Sequence, residues 1–167
     1  VLHGLLSDVE CMRYLNNGST KTRIEAENFL RANQQHWQQW NCGLWAIKLP
    51  AQNQIIGWTG LTCLDWLTAE NQGMEISWLL NPNFWQQGLA NEAAQLVLQY
   101  GFSTLQLRQV CGVYQSKNQA AAKLMARLGF TQLYQQRHPS WHRQITVCRL
   151  DAAESESFYD ANSVGAS

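Results

Sequence analysis

Residues 73–102 constrain the fold more than any other stretch of the chain. Their sequence, GMEISWLLNPNFWQQGLANEAAQLVLQYGF, predicts a buried strand, an Asn81-Pro82 turn, a loop around Gly88 and a long helix. A glycine loop that leads into a helix suits an anion, because the first backbone N–H groups of a helix lack partners within it. Taken alone, this stretch fits an ordinary helix start as well as an anion site.

The flanking segments predict an α/β domain built around this stretch. Apolar residues at helical spacing predict a helix over residues 2–16, and a capping box of Thr22 and Glu25 begins a second helix that runs to about residue 40. Strands are predicted over residues 43–49, 54–64, 75–80, 108–114, 131–137 and 144–150. Asn118 is expected to cap a helix that Gly129 ends in a left-handed conformation. The long helix between the third and fourth strands makes those two strands parallel neighbours.

The composition excludes several classes of function. The 167 residues carry no net charge and no basic patch, which argues against nucleic acid or an anionic membrane as a partner. No apolar run approaches the roughly 18 residues that indicate a membrane span. The five cysteines are scattered without a C-x-x-C pair, and no signal peptide is visible. We therefore expect reduced cysteines and a cytoplasmic protein.

Several weak motifs follow one another in a specific order. They are a strand with Glu75, the Asn81-Pro82 turn, W-x-x-G-x-A over residues 85–90, Tyr100-Gly101-Phe102, Asn118 at a helix start, and Leu128-Gly129-Phe130 at its end. This order resembles the GNAT superfamily of N-acetyltransferases. The early segment SDVECMRYL, residues 7–15, resembles the first helix of its RimJ/RimL-like branch, which includes ribosomal-protein N-terminal acetyltransferases. The likeness covers about residues 2–150.

The resemblance implies a GNAT-like α/β fold. Its sheet is mixed, mostly antiparallel and twisted, with splayed central parallel strands and helices on both faces. We expect one domain over residues 1–150 and a tail over residues 151–167 that packs through Phe158 and Tyr159. The family's first strand is missing before the first helix, which leaves strand 43–49 as an exposed edge. Either the tail or a second copy of the chain covers this edge, and we favour a homodimer.

The resemblance also implies acetyl-CoA as cofactor, bound between the splayed strands. The pantetheine arm would pair with the backbone of the third strand, and the pyrophosphate would accept hydrogen bonds from N–H groups at the helix start. The implied contact residues are Trp78, Leu79, Leu80, Gln86, Gln87, Gly88, Leu89, Ala90, Asn91 and Asn118. Many family members carry Arg or Lys where this chain has Gln86 and Gln87. Neutral donors predict a weak dependence of coenzyme affinity on salt.

Direct attack of an amine on a thioester needs a base and is helped by an acid. Glu75 is the candidate base, acting through a water, because its strand position matches that of the glutamate base in some GNAT enzymes. A carboxylate at a strand end that pairs or caps is the alternative. Met125 and Ala121 occupy the positions at which family members carry a Tyr or Ser donor. Tyr114 is the remaining candidate acid, with a packing role as the alternative.

The histidines near the C-terminus are a second candidate cluster. His138 and His142 have helical metal-ligand spacing, but Pro139 makes the segment a turn and no third ligand is near. We therefore expect no metal. The turn with Trp141 is either one wall of the acceptor groove, opposite loops 16–20 and 65–72, or a solvated turn.

Three functions remain in view. The first is an acetyl-CoA-dependent N-acetyltransferase that acts on a primary amine, either a protein N-terminus or a small molecule. The second is an acyl-CoA-binding module with little turnover, since Met125 and Ala121 cannot donate a proton. The third is an unrelated α/β interaction domain. The acceptor groove holds no charge cluster in the sequence, so the acceptor is not indicated.

Overall fold

A mixed sheet forms the centre of the molecule. The computed structural model describes residues 1–64, residue 66 and residues 73–154. In this part of the chain six strands pair in the order β1-β2-β3-β4-β6-β5. They are β1 Leu44–Leu49, β2 Gln54–Leu64, β3 Gly73–Leu80, β4 Gln109–Gln115, β5 Thr131–Arg137 and β6 Gln144–Asp151. The strands β3 and β4 are parallel, and the other neighbouring pairs are antiparallel. The predicted mixed sheet with a central parallel pair is confirmed.

Helices cover both faces of this sheet. They are α1 Leu2–Leu6, α2 Val9–Met12, α3 Arg23–Trp40, α4 Leu89–Gln99 and α5 Gln119–Arg127, with a π-helical turn over Tyr100–Thr104 and 3-10 turns over Pro50–Gln52 and Pro82–Phe84. Alternate side chains of β3 point to opposite faces. Ile76 packs in one core cluster with Leu98 of α4 and Met125 of α5. Leu79 packs in another cluster with α1, α2 and α3. The predicted α/β fold is confirmed.

The N-terminal segment departs from the single helix predicted over residues 2–16. It forms α1 and α2, which are separated at Ser7 and Asp8. Asp8 adopts an extended backbone conformation, and its side chain accepts a hydrogen bond from the backbone N–H of Cys11. Because a capping carboxylate competes with helix continuation, the apolar periodicity passes through a break that it cannot reveal. The helical prediction beyond Met12 is wrong, since α2 ends at Met12 and Asn16 has a positive φ value.

Other helix ends follow the predicted local chemistry. The capping box of Thr22 and Glu25 is present at the start of α3. Asn118 accepts a hydrogen bond from the N–H of Ala121 at the start of α5. Gly129, with a φ of 87°, ends that helix in the left-handed region. The sequence predicted these helix ends because a cap depends on residues within one turn of the helix.

The described sheet ends at β1 on one side, and its last strand in the sequence is β6. In the described residues β1 lies at one end of the sheet, and no strand pairs with its outer edge. β6 reaches Asp151, one residue past the predicted domain boundary. The predicted anchors Phe158 and Tyr159 lie outside the described residues. None of the helices described is long and apolar enough to cross a membrane.

Candidate active site

The parallel strands β3 and β4 separate along their length and open a cleft. Their pairing is confined to residues 74–76 of β3 and 110–112 of β4. Beyond this point Ser77 and Leu80 still pair with β2, while Val113 and Tyr114 pair with β6. The two strands therefore diverge toward their carboxyl ends while each stays fixed on its outer side. The predicted splay is present, and it places a gap beside the last residues of β3.

A cavity of about 380 Å³ extends from this gap to the starts of α4 and α5. The ten residues predicted to contact coenzyme A all line it: Trp78, Leu79, Leu80, Gln86, Gln87, Gly88, Leu89, Ala90, Asn91 and Asn118. They come from the end of β3, the following loop and two helix N-termini. An elongated anionic ligand is suited to such a wall, because strand edges and helix starts both offer backbone donors.

The loop before α4 has the geometry of an anion site. Gly88 is the N-cap of α4, and no side chain caps the helix there. The first N–H groups of α4 therefore have no capping side chain, and they lie at the positive end of the helix dipole. The loop is fixed by Trp85, whose indole N–H donates to the Leu80 carbonyl at 2.8 Å. The side chain of Gln87 donates to Asn83 at 3.1 Å and so also holds the loop.

Gly88 is required for its backbone conformation. Its φ of 80° lies in the left-handed region, which favours glycine. A Cβ built at this position meets no protein atom within 4 Å. The open side of Gly88 therefore leaves space for a ligand to approach the backbone of the loop.

Two cations line this cavity that the sequence analysis did not select. Lys123 and Arg127 are exposed residues one turn apart on α5. Neither forms an ion pair among the described residues. Their i, i+4 spacing after the Asn118 cap was the available signal, because residues at this spacing share one face of a helix. They add positive charge to a wall for which Gln86 and Gln87 alone predicted neutral donors.

A second cavity, of about 220 Å³, adjoins the first. The two share the lining residues Tyr14, Leu15, Trp78, Asn118 and Ala121. Both catalytic candidates, Glu75 and Tyr114, line the second cavity. An elongated ligand in the first cavity and a small one in the second would therefore meet beside β3, and both side chains line the cavity of the small ligand.

Burial changes the proton affinity of Glu75. The residue is half-buried and faces the second cavity. Removal of surrounding water raises its pKa from 4.5 to about 8. No cation pairs with its carboxyl group in the described part of the chain. A carboxylate with this pKa is better matched to an amine proton than an ordinary glutamate. The alternative role, a carboxylate at a strand end that pairs with a cation, therefore has no support among the described residues.

The candidate acid lies across the gap. Tyr114 packs partly into the core cluster that contains Met125, and burial raises its pKa. Met125 is buried against Gly112, and Ala121 is buried at the start of α5. Neither can donate a proton, as expected from their side chains. Tyr114 lines the second cavity, and a second phenol, Tyr14, which the sequence analysis did not select, lines both cavities.

The histidine turn is fixed by hydrogen bonds and ring stacking of its own residues. His138 is 3% exposed, and its Nδ1 accepts from the N–H groups of Ser140 and Trp141. The His138 ring stacks on Trp141 with centroids 3.6 Å apart. Burial is the main cause that lowers the His138 pKa, and this favours the neutral ring. Among the described residues no group of three metal-ligating side chains is present.

The same turn contributes to the second cavity. Trp141 lines it, as does Asn16 from the loop that was predicted to form the opposite wall. Trp66 contacts the His138 ring at a centroid distance of 4.4 Å. The rest of the predicted 65–72 wall lies outside the described residues. The turn therefore forms part of the cavity wall through Trp141. A turn that contacts only solvent, which was the alternative, is not observed for this residue.

Comparison with protein families identifies the class of protein. Residues 1–131 match the model of the acetyltransferase (GNAT) domain. The match covers most of the 167 residues, and the chain belongs to the GNAT acetyltransferase family. GNAT acetyltransferases use acetyl-CoA, so the predicted cofactor and the predicted N-acetyltransferase class are confirmed at the level of the family.

Relatives in sequence agree with this class. The uncharacterised N-acetyltransferase YnaD of Bacillus subtilis is 38% identical over 55 residues, which are 33% of this chain and 32% of YnaD. The uncharacterised N-acetyltransferase p20 of Bacillus licheniformis is 27% identical over 124 residues, or 74% of this chain and 68% of p20. The chain thus spans about a third of the length of YnaD and two thirds of that of p20.

Solved structures of low identity share the fold. A GNAT-family acetyltransferase from Bacillus anthracis has a TM-score of 0.73 at 22% identity and covers 92% of this chain and 88% of its own. Spermidine N-acetyltransferase from Vibrio cholerae, in complex with CoA and spermine, has a TM-score of 0.74 at 16% identity, with coverages of 92% and 89%.

The ribosomal L7/L12 N-acetyltransferase RimL, in complex with coenzyme A, is a further structural neighbour. It has a TM-score of 0.74 at 17% identity, with coverages of 90% and 86%. RimL is one of several neighbours of similar score, so the predicted RimJ/RimL-like branch is not specifically confirmed. The GNAT superfamily is established by the family model.

Proposed function

We propose that this chain transfers the acetyl group of acetyl-CoA to a primary amine by direct attack, with both substrates bound together. The observation that carries the proposal is the junction of two cavities beside β3. The cavity lined by the ten predicted coenzyme residues opens into a cavity that Glu75 and Tyr114 line. A thioester in the first cavity and an amine in the second would meet without a covalent enzyme intermediate.

The first cavity would hold the coenzyme along its length. The backbone of residues 78–80 would pair with the pantetheine arm, and the N–H groups of residues 86–91 would bind the pyrophosphate at the start of α4. Lys123 and Arg127 would add charge attraction for its phosphates. Asn118, which lines both cavities, lies where the reactive end of the coenzyme and the acceptor would come together. When bound, acetyl-CoA supplies the thioester carbonyl that the amine attacks.

Glu75 would remove a proton from the amine, directly or through one water. The amine nitrogen forms a bond to the carbonyl carbon, the carbon–sulfur bond breaks, and the amine proton moves to Glu75. The departing sulfur receives a proton from Tyr114 or from water. Because a thiolate is a modest base, with a pKa near ~8.5, the acid contributes less than the base does. Backbone N–H groups near Leu79 or Leu80 would stabilise the negative oxygen.

The test has two stages. Acetyl-CoA at millimolar concentration is expected to raise the melting temperature of the protein, because a ligand that binds the folded state stabilises it. A thiol-release assay with a panel of amines then detects turnover. Glu75→Gln is expected to lower turnover and leave the melting shift with acetyl-CoA intact. If Glu75→Gln turns over at the wild-type rate, Glu75 is not the base.

An acyl-CoA-binding module with little turnover is the second candidate. It is favoured by Met125 and Ala121, which occupy positions where related enzymes carry a proton donor. The two candidates differ in one result. A melting shift with acetyl-CoA, without thiol release on any amine of the panel, would support the binding module and exclude the transferase.

The acceptor is proposed as a protein N-terminus or a small-molecule amine. RimL is named for acting on a ribosomal protein, whereas the Vibrio cholerae neighbour is named for acting on spermidine. Both kinds of acceptor belong in the amine panel. Residues 1–150 are proposed to form a single catalytic domain, to which residues 151–167 are appended.

A further inference from the structure

Aromatic rings dominate the wall of the second cavity. Six of its lining residues are aromatic and come from separate parts of the fold: Tyr14, Phe29, Trp58, Trp78, Tyr114 and Trp141. Glu75 is the one charged side chain among the described lining residues. The described wall thus combines several aromatic rings with a single carboxyl group.

Three of these rings, Phe29, Trp58 and Trp141, are held in place by packing. Trp58 is 6% exposed and belongs to the core cluster of the N-terminal helices. Phe29 tilts against Trp58 with centroids 5.8 Å apart. Trp141 is stacked on His138, whose ring is itself fixed by two backbone N–H groups. A wall of fixed rings is prepared for its ligand before binding, which reduces the entropy lost on association.

We propose that this cavity selects a monoamine with a compact aromatic body, such as an arylalkylamine. The inference rests on the proposed function, because it names the acceptor for the same site. The ammonium group would approach Glu75, and the ring of the acceptor would pack edge-to-face or offset against the wall. The ring faces also attract the ammonium before its proton is removed.

The size and polarity of the cavity favour this acceptor over two others. A volume of about 220 Å³ is below the roughly 300–1,000 Å³ of drug-sized ligand sites, so a short molecule fits better than a peptide. A polyamine would bring a second ammonium group, for which the described lining offers no second carboxylate.

Binding to the protein loaded with coenzyme A tests the inference without turnover, because free coenzyme A carries no acetyl group. Calorimetry at pH 7, where Glu75 is mostly protonated, and at pH 9, where it is mostly ionised, would compare 2-phenylethylamine, 2-cyclohexylethylamine, 1,4-diaminobutane and a tripeptide that begins with alanine. We expect 2-phenylethylamine to bind roughly ten-fold tighter than the diamine and the peptide, and several-fold tighter than its cyclohexyl analogue. The cyclohexyl compound matches its bulk and charge and lacks the π-system.

Single variants test whether the rings of the second cavity cause the preference for the phenyl compound. Trp141→Leu and Phe29→Leu remove one ring each and keep apolar bulk, and both are expected to reduce the preference for the phenyl over the cyclohexyl compound. Trp40→Leu is the matched control, because Trp40 is exposed and lines neither cavity. It is expected to leave the preference unchanged. If one variant fails to fold, the other and the wild-type ligand series still decide the question.

The outcomes separate this inference from the proposed function. Equal or tighter binding of the diamine or the peptide, or no binding of any amine at millimolar concentration, would overturn the aromatic monoamine. Selective binding of 2-phenylethylamine without its acetylation would support the inference and contradict acetyl transfer. Preferred acetylation of a polyamine or a peptide would support the proposed acetyl transfer and exclude the aromatic monoamine as the preferred acceptor.

Discussion

At the scale of single residues, the proton affinity of Glu75 controls the proposed chemistry. With a pKa of about 8, this group loses its proton between roughly pH 7 and 9. If Glu75 is the base, kcat/KM should rise with pH and level off above about 8. Glu75→Gln should lower kcat by roughly 10²–10⁴-fold and remove this rise. The measurement is a pH–rate profile with an acceptor amine whose own pKa lies far below 8.

The control for this profile is Glu27→Gln. Glu27 lies on the exposed surface of α3, where it pairs with Arg23, and it lines neither cavity. Its variant should keep the wild-type profile. A pH–rate profile for Glu75→Gln that still rises through pH 8 would assign the ionisation to another group.

The same residue predicts how stability depends on pH. The folded-state pKa of Glu75, about 8, lies above its ordinary value of 4.5. Between these values the folded protein keeps a proton that the unfolded chain releases, so the contribution of Glu75 to stability falls as pH rises, and levels off above about 8. The free energy of unfolding of Glu75→Gln should therefore increase relative to wild type from pH 5 to pH 9. Urea unfolding at pH 5, 7 and 9 measures this difference, and a constant difference would contradict it.

The sequence indicated residues whose role follows from neighbours within a few positions. Gly88 was found because a glycine at a helix start is a local pattern, and Asn118 because a cap bonds within one turn. The pKa of Glu75 could not be read in this way, since it results from burial by segments far away in the chain. The aromatic wall was hidden for the same reason, because its rings come from six separate parts of the sequence.

At the scale of elements, α5 supplies the charge that the loop before α4 lacks. Lys123 and Arg127 line the coenzyme cavity from one face of this helix. The double variant Lys123→Ala/Arg127→Ala should weaken coenzyme A binding, by up to about five-fold for each exposed cation, and reduce its dependence on salt. Titrations of coenzyme A at low and moderate salt measure both effects.

Arg31→Ala serves as the control for charge removal. Arg31 lies on α3, bonds to the side chain of Asn28 and does not line the cavity. It should leave the affinity and its salt dependence at wild-type values. If the double variant also binds coenzyme A with wild-type salt dependence, the neutral donors of the loop carry the interaction alone, as the sequence first predicted.

Elements differed in how well the sequence defined them. The bounds of β2 and β5 coincide with the predicted residues, because turn signals such as Pro50 and Gly129 flank them. The first helix was predicted too long, because the cap at Asp8 interrupts an apolar periodicity that continues on both sides. Periodicity reports which face is buried, and it does not report where the backbone changes direction.

At the scale of the whole molecule, the order of elements was enough to predict the sheet, and the cavities required coordinates. A strand–helix–strand connection fixes β3 and β4 as parallel neighbours. Their divergence after three paired residues was expected from the family resemblance and had no local sequence signal. The volumes and shared walls of the two cavities depend on how α2, α5 and the turn at Trp141 pack around that divergence.

The outer edge of β1 leads to a prediction about assembly. In the described residues this edge has no strand partner, and an unpaired edge offers a row of backbone donors and acceptors. We expect two copies of the chain to pair there and form a dimer at micromolar concentration. Size-exclusion chromatography with light scattering measures the mass across a dilution series.

Two further measurements decide what covers this edge. A variant that ends at residue 154 tests the tail, because it keeps all six strands described above. If β1 pairs with a second copy, this variant remains dimeric. A monomeric wild type at micromolar concentration would exclude the dimer. A wild-type monomer that becomes dimeric when residues 155–167 are removed would instead indicate that the tail covers β1.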